Sequence, residues 1–155
     1  TFSLPEPAIS ESAAIIPGID GQKMSKSYGN TIPIFLDGKE LKKRVMSIET
    51  DATPVEEPKD PDSCNLYALL KLFAAPERMQ EIHQLYVDGG AAYGYLKLEL
   101  LELLNDKFGA AREEKKRFLA DPAELHNILR KGAEKARAKA APTLDEVRRK
   151  VGLCY

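Results

Sequence analysis

Two lysines three residues apart, Lys23 and Lys26, share the stretch from Asp20 to Asn30 (DGQKMSKSYGN) with Ser25 and Ser27, between Gly21 and Gly29. The stretch has almost no apolar periodicity, so it reads as a mobile, glycine-hinged loop rather than a core element. Ammonium groups at this spacing, with hydroxyls and free backbone N–H groups between them, can close on a polyphosphate as point charges and hydrogen-bond donors. The chemistry this suits is phosphate handling. At the level of residue types alone, a solvated loop that happens to carry lysines stays open beside it.

Other candidate residues form weaker constellations. Asp51, Glu56, Glu57, Asp60 and Asp62 lie in the Pro- and acid-rich run ETDATPVEEPKDPD without the regular spacing of a carboxylate metal site, and they read as caps and solvated loop residues. His83 (EIHQ) and His126 (ELHN) have no Cys, Ser or carboxylate arranged for a triad or a metal, so both read as surface histidines. Cys64 follows Asp62-Ser63 near a helix start, where a thiolate would be stabilised, yet it reads as a small, partly buried thiol. With Cys154 it gives no CxxC spacing, no disulfide framework and no zinc site, which fits a reduced, cytoplasmic protein.

The charge is uneven. Residues 1–111 hold 11 Lys and Arg against 17 Asp and Glu, whereas residues 112–155 hold 12 against 7, a local net of +5 in a chain whose formal net charge is −1. The basic set comprises Arg112, Lys115, Lys116, Arg117, Arg130, Lys131, Lys135, Arg137, Lys139, Arg148, Arg149 and Lys150. It reads either as solvated helix faces or as one face that follows a nucleic-acid backbone. No aromatic interleaving points to base stacking along a single strand. No apolar run approaches the ~20 residues of a membrane span, and no leader pattern opens the chain. Beginning at Thr1 without an initiator Met, the chain reads as an excised piece.

The elements that must position the loop are mostly helical. The 155 residues, 43% hydrophobic, suffice for one domain with a core or for a domain plus the remnant of another. Pro5, Pro7 and Pro17 punctuate the opening, where only Ala13–Ile16 resembles a short strand. A lone strand cannot fold as a sheet, so residues 1–35 read as the end of a domain whose bulk lies elsewhere. The Asp37/Glu40 capping box with Leu41, Val45 and Ile48 predicts a helix from Gly38 to Ile48. Leu66, Leu69, Leu70 and Phe73 give the next face; Pro76 starts a helix carrying Met79, Ile82 and Tyr86 that stops at Gly89-Gly90.

A longer helix runs from Tyr95 to Phe108, extending through Arg112 to Leu119. The Asp121-Pro122 step then opens another, in which Gly132, Ala133 and Ala136 would let a neighbouring helix approach closely. Pro142, followed by the Thr143/Glu146 capping box, predicts a separate last helix closed by Gly152. The expected fold is mainly α, a bundle of about five or six helices (36–155) preceded by an extended, loop-bearing remnant of a Rossmann-type α/β domain (1–35).

Lys23-Met24-Ser25-Lys26-Ser27 resembles, letter for letter, the signature loop of class I aminoacyl-tRNA synthetases. The flanks narrow this: LPEP (4–7), PGIDGQKMSKSYGNTI (17–32), TDATPVEEPKDPDSCNLY (50–67), GGAAYGYLK (89–97) and GAEKARAKA (132–140) together resemble the C-terminal half of bacterial-type tryptophanyl-tRNA synthetases. The resemblance implies ATP- and Mg2+-dependent activation of tryptophan, then transfer to tRNA. It implies that Lys23 and Lys26 hold the triphosphate, with Lys26 stabilising the leaving pyrophosphate. Ser25 and Ser27 would add hydrogen bonds, and Met24 with Ile15 would pack near the adenine. It also implies tRNA contact through the C-terminal helices and a homodimer whose interface lies mostly outside this stretch, leaving the stretch itself monomeric. The family's His-x-Gly-His-like motif is absent, so the chain alone is expected not to form aminoacyl-adenylate. Two alternatives are a free-standing helical RNA-binding module with a relic loop and a tyrosyl-tRNA synthetase fragment.

Overall fold

A computed structural model of the chain describes residues 2–9 and 15–153. Among the described residues five helices follow one another: α1 (Gly38–Met46), α2 (Asn65–Leu70), α3 (Pro76–Asp88), α4 (Tyr93–Ala120) and α5 (Pro122–Lys150). Of the strand expected at Ala13–Ile16, residues 13 and 14 lie outside the described residues; next to it an antiparallel bridge joins Pro17 to Lys23. By its contacts the chain separates into two units, Ile9–Arg112 and a second made of Thr1–Ala8 with Glu113–Tyr155.

The core belongs to the first unit. Leu41, Val45 and Ile48 come from α1 and its exit, Leu66, Leu69 and Leu70 from α2, Ile82 and Tyr86 from α3, and Leu96, Leu100 and Leu104 from α4, all buried. Their 3- and 4-residue spacing puts each set on one helix face, and each fully buried Leu or Ile contributes roughly 1.5–3 kcal/mol. This stabilises α2, which at six residues is too short to persist alone and whose N-cap, Cys64, makes no side-chain cap hydrogen bond. Tyr86, fully buried, is edge-on to both Tyr67 (centroids 5.1 Å apart) and Tyr93 (6.2 Å). Pro76 occupies the first turn of α3, and Gly89, at φ 88°, ends it.

Helix α1 differs in detail from expectation. It ends at Met46, and the Asp37 side chain makes no cap hydrogen bond. Its C-terminal end is instead secured by Lys97 of α4, whose Nζ donates to the Ile48 carbonyl (2.7 Å) and the Met46 carbonyl (3.3 Å). The joint is tied to the loop as well, since Glu49 N–H donates to Ile19 O at 2.7 Å.

In the second unit, the expected break at Pro142 is absent. Helix α5 runs from Pro122 to Lys150 with Pro142 inside it. Strong helix formers on both sides (ARAKAA and LDEVRRK) outweigh the one hydrogen bond that proline removes, and Glu146 pairs with Lys150 (2.7 Å) rather than capping a new helix. Asp121 caps the start of α5, accepting from Glu124 N–H at 3.0 Å. Of the small residues Gly132, Ala133 and Ala136, expected to admit a neighbouring helix, only Ala133 is half-buried; among the described residues α5 has none fully buried, and a Cβ placed on Gly132 would meet nothing within 4 Å.

Candidate signature-loop site

The loop between Asp20 and Asn30 has an internal scaffold that its composition did not announce. Gly18 N–H donates to Gln22 O (2.7 Å), Met24 N–H to Ile16 O (2.8 Å), and Gly29 N–H to Lys26 O (3.2 Å), so a narrow ladder carries a turn at its tip. Gly21 (φ 78°) and Gly29 (φ 66°) take left-handed backbone conformations that favour glycine. Gly21 is also constrained by packing, because a Cβ there would lie 2.5 Å from the Asn65 amide at the start of α2. Ser25 Oγ and Ser27 Oγ lie 2.8 Å apart.

Lys23 and Lys26 are both exposed, and among the described residues neither ammonium group is engaged in a hydrogen bond or ion pair. The ladder and the turn therefore present two cations to solvent from a hydrogen-bonded backbone. Met24 points the other way. It is half-buried and, with Ile16, Ile32, Leu69, Phe73 and Phe108, lines an apolar cavity of about 190 Å³ over the helical core. Ile15 lies upstream of the ladder and is 70% exposed.

Two residues that organise this site were not singled out by spacing. Asn30, in the sequence only the last residue of the glycine-hinged stretch, is 2% exposed and bonded at both its amide oxygen and its amide nitrogen. Arg44 of α1 donates from Nε to Thr31 O (2.8 Å) and from Nη2 to Gly29 O, gripping the loop where it leaves the tip. The signal that could have found Arg44 is its place on α1: three residues after the buried Leu41, it falls beside the core face and close to the loop's exit.

Several of the remaining candidates make local contacts. Cys64 is half-buried with Sγ 3.3 Å from the Tyr86 hydroxyl. His83, exposed, has Nδ1 3.2 Å from Tyr67 OH, and His126 is exposed on α5. In the acidic linker, Asp60 accepts from Asp62 N–H at 3.0 Å. The Thr53 N–H (2.9 Å) holds the Asp51 carboxyl below the usual carboxylate range, helped by Tyr93 OH at 3.0 Å. The linker's own anchor is Lys59, 6% exposed, whose Nζ donates to Pro54 O and to Glu57 O (3.2 Å) and lies 5.4 Å from the centre of the Tyr93 ring.

Of the basic set, Arg112 is not on a solvent face. It is 5% exposed, donating to Ile34 O (2.9 Å) and Asn105 Oδ1 (2.7 Å). Arg117, Arg130, Arg148 and Lys150 pair with nearby acids, while Lys131, Lys135, Arg137, Lys139 and Arg149 stand exposed along α5.

No family model matches the chain. Individual relatives do. The chain is 44% identical over 152 residues to the tryptophan–tRNA ligase of Campylobacter jejuni (strain RM1221), covering 98% of this chain and 48% of the relative. It is 43% identical over 152 residues to that of Fusobacterium nucleatum, covering 98% and 46%. The crystal structure of the Campylobacter jejuni tryptophanyl-tRNA synthetase complexed with ADP and tryptophan superposes with a TM-score of 0.82, over 98% of this chain and 48% of that one. Over 98% of its length the chain is similar to the C-terminal portion of these tryptophan–tRNA ligases.

It spans about half the length of the curated relatives it matches. The mainly helical architecture is that of the C-terminal region of these ligases. No helix among the described residues is long and apolar enough to cross a membrane.

Proposed function

We propose that this chain supplies the triphosphate-binding loop and the RNA-contacting helices of a cytoplasmic tryptophan–tRNA ligase. The observation that carries the reading is the outward presentation of Lys23 and Lys26 from a hydrogen-bonded, glycine-turned loop. Residues 1–35 act as the end of the nucleotide-binding domain, and residues 36–155 as the helical domain that carries the loop's far hinge.

In the reaction, the tryptophan carboxylate attacks the α-phosphorus of ATP, which enters as its Mg2+ complex, and pyrophosphate leaves. Negative charge accumulates on the departing oxygens. Ammonium groups held ready in position stabilise that charge without reorganising, which is where such catalysis gains most. Lys23 holds the triphosphate and Lys26 meets the charge on the pyrophosphate, while Ser25 and Ser27 contribute hydroxyl or backbone hydrogen bonds. Met24 with Ile15 packs near the adenine, and Met24 also lines the cavity over the helical core. The aminoacyl group then passes to the terminal adenosine of the tRNA, whose backbone meets the exposed cations of α5. The ligase works as a homodimer, with most of its interface and its tryptophan pocket outside this chain.

The test is tryptophan-dependent exchange of pyrophosphate into ATP, compared with tyrosine. The ligase containing this stretch should exchange with tryptophan only, and the 155-residue chain alone should not exchange at all. Exchange with tyrosine, or tryptophan-dependent exchange by the chain alone, would overturn the reading.

A further inference from the structure

We propose that Asn30 is the positioning residue of the signature loop: its side-chain amide holds the Lys23–Lys26 backbone in the form that offers both ammonium groups to a polyphosphate. The proposal rests on the phosphate-binding reading above.

Asn30 lies at the loop's closing end, directly after Gly29, and is one of three buried polar or charged side chains among the described residues. Its Oδ1 accepts from Ser25 N–H at 2.8 Å, and its Nδ2 donates to Lys23 O at 3.2 Å and to Asp20 Oδ1 at 2.8 Å. Its own carbonyl accepts from Ile19 N–H at 3.0 Å. One side chain thus fixes the peptide groups on both sides of Met24, and it does so from inside the loop.

The directions of these bonds exclude the neighbours of asparagine in chemistry. Ser25 offers only a donor, whereas Lys23 O and Asp20 Oδ1 offer only acceptors, so the position needs one acceptor and one two-hydrogen donor on a short stem. A carboxylate at position 30 would face the Asp20 carboxylate and the Lys23 carbonyl. An alanine would leave the Ser25 donor and the Lys23 acceptor without partners beneath the loop. The space is reserved too: a Cβ on Gly18 would come within 2.5 Å of the Asn30 amide and 2.8 Å of its carbonyl oxygen. Asp20, for its part, is held by Gln22 N–H at 3.1 Å. The network leaves both lysine side chains outside, so Asn30 acts on the ligand only through the backbone it holds.

The experiment uses inorganic tripolyphosphate titrated into the 155-residue chain, followed by amide chemical shifts around Lys23 and Lys26. Asn30→Ala should raise the dissociation constant about tenfold, as the competent fraction of the loop falls to roughly a tenth. It should also speed hydrogen exchange at the Ser25 amide while leaving the Leu100 amide unchanged. Asn30→Asp should weaken binding at least as much. Combining Asp20→Asn with Asn30→Asp removes the facing carboxylates but still leaves Lys23 O without its donor, and should recover part of the loss.

If the unaltered chain binds tripolyphosphate and all the variants bind it equally, the positioning role is overturned while the phosphate reading stands. If the unaltered chain does not bind it, the phosphate reading fails and this proposal with it. If the combined variant binds no better than Asn30→Asp, or the Ser25 amide exchanges no faster in Asn30→Ala, the amide network is not what positions the loop.

Discussion

Arg44 Nε donates to the Thr31 carbonyl at 2.8 Å, a bond that joins the first helix of the core to the exit of the signature loop. With the second bond from Nη2 to Gly29 O, the guanidinium holds the carbonyls of the residues on either side of Asn30. A lysine has a single ammonium on a flexible stem and cannot reproduce this fork.

Arg44→Lys and Arg44→Ala are therefore both expected to loosen the loop exit. The cost to unfolding free energy should be about 1–3 kcal/mol for Arg44→Ala, since hydrogen bonds from a charged group are lost, and Arg44→Lys should recover less than half of it. Urea denaturation measures both; an unchanged midpoint in Arg44→Ala would show that the clamp adds no stability.

Pro142 offers a direct check on the continuity of α5. Because it lies inside one helix, Pro142→Ala restores a donor for the Ala138 carbonyl and removes a ring clash, and should stabilise that helix by up to about 3 kcal/mol. Circular dichroism at 222 nm should show more helix and a higher melting point for the second unit. A neutral or destabilising result would favour two separate helices meeting at Pro142.

Lys59 is expected to be the linker's principal tether. Replacing it by methionine keeps the apolar stem but removes the donors to Pro54 O and Glu57 O, at a cost of about 1–3 kcal/mol. The signature should be local: faster proteolysis within residues 50–62, with the helices retaining their protection against hydrogen exchange.

Alkaline pH should destabilise the first unit ahead of any global charge effect. Burial, first of all, raises the hydroxyl pKa of Tyr67, Tyr86 and Tyr93 above the ordinary value near 10. Above that value the unfolded chain releases protons that the folded chain keeps, so the unfolded state binds fewer protons and stability falls as pH rises toward the folded-state values. Below pH ~10 the contribution is fully present. Tyrosinate absorbance should rise in two phases, the later one coinciding with loss of helix, and Tyr86→Phe should weaken the pH dependence.

Much of the helical half was legible because its signals are repetitive. The buried Leu66, Leu69, Leu70, Ile82, Tyr86, Leu96, Leu100 and Leu104 all stand at helical spacing, and Pro76 and Gly89 mark the ends of α3 as their backbone chemistry requires. Pro142 and the Thr143/Glu146 pair mark a boundary only locally, whereas a helix responds to the sum over its neighbours. Arg112 was grouped with the exposed cations because composition does not record which arginines spend their donors on carbonyls. In the loop, the lysines and serines declared their chemistry by type. Asn30 did not, since its partners lie five to ten residues away in a segment without periodicity, and only the closed fold brings Ser25, Lys23 and Asp20 around one amide.

Gly89 carries a consequence of a different kind. The linker's backbone runs through the volume a side chain would need there: a Cβ would lie 2.3 Å from the Glu56 carbonyl oxygen, and the neighbouring Gly90 N–H donates to Val55 O at 2.6 Å. Backbone, unlike a flexible side chain, cannot step aside without taking Lys59 and its carbonyl contacts with it. In a saturation library position 89 should therefore accept glycine alone, while the exposed Lys71 and Gln80 tolerate nearly everything. A turn residue that makes no side-chain contact would be among the least replaceable in the chain, and every lineage that keeps this linker inherits that constraint.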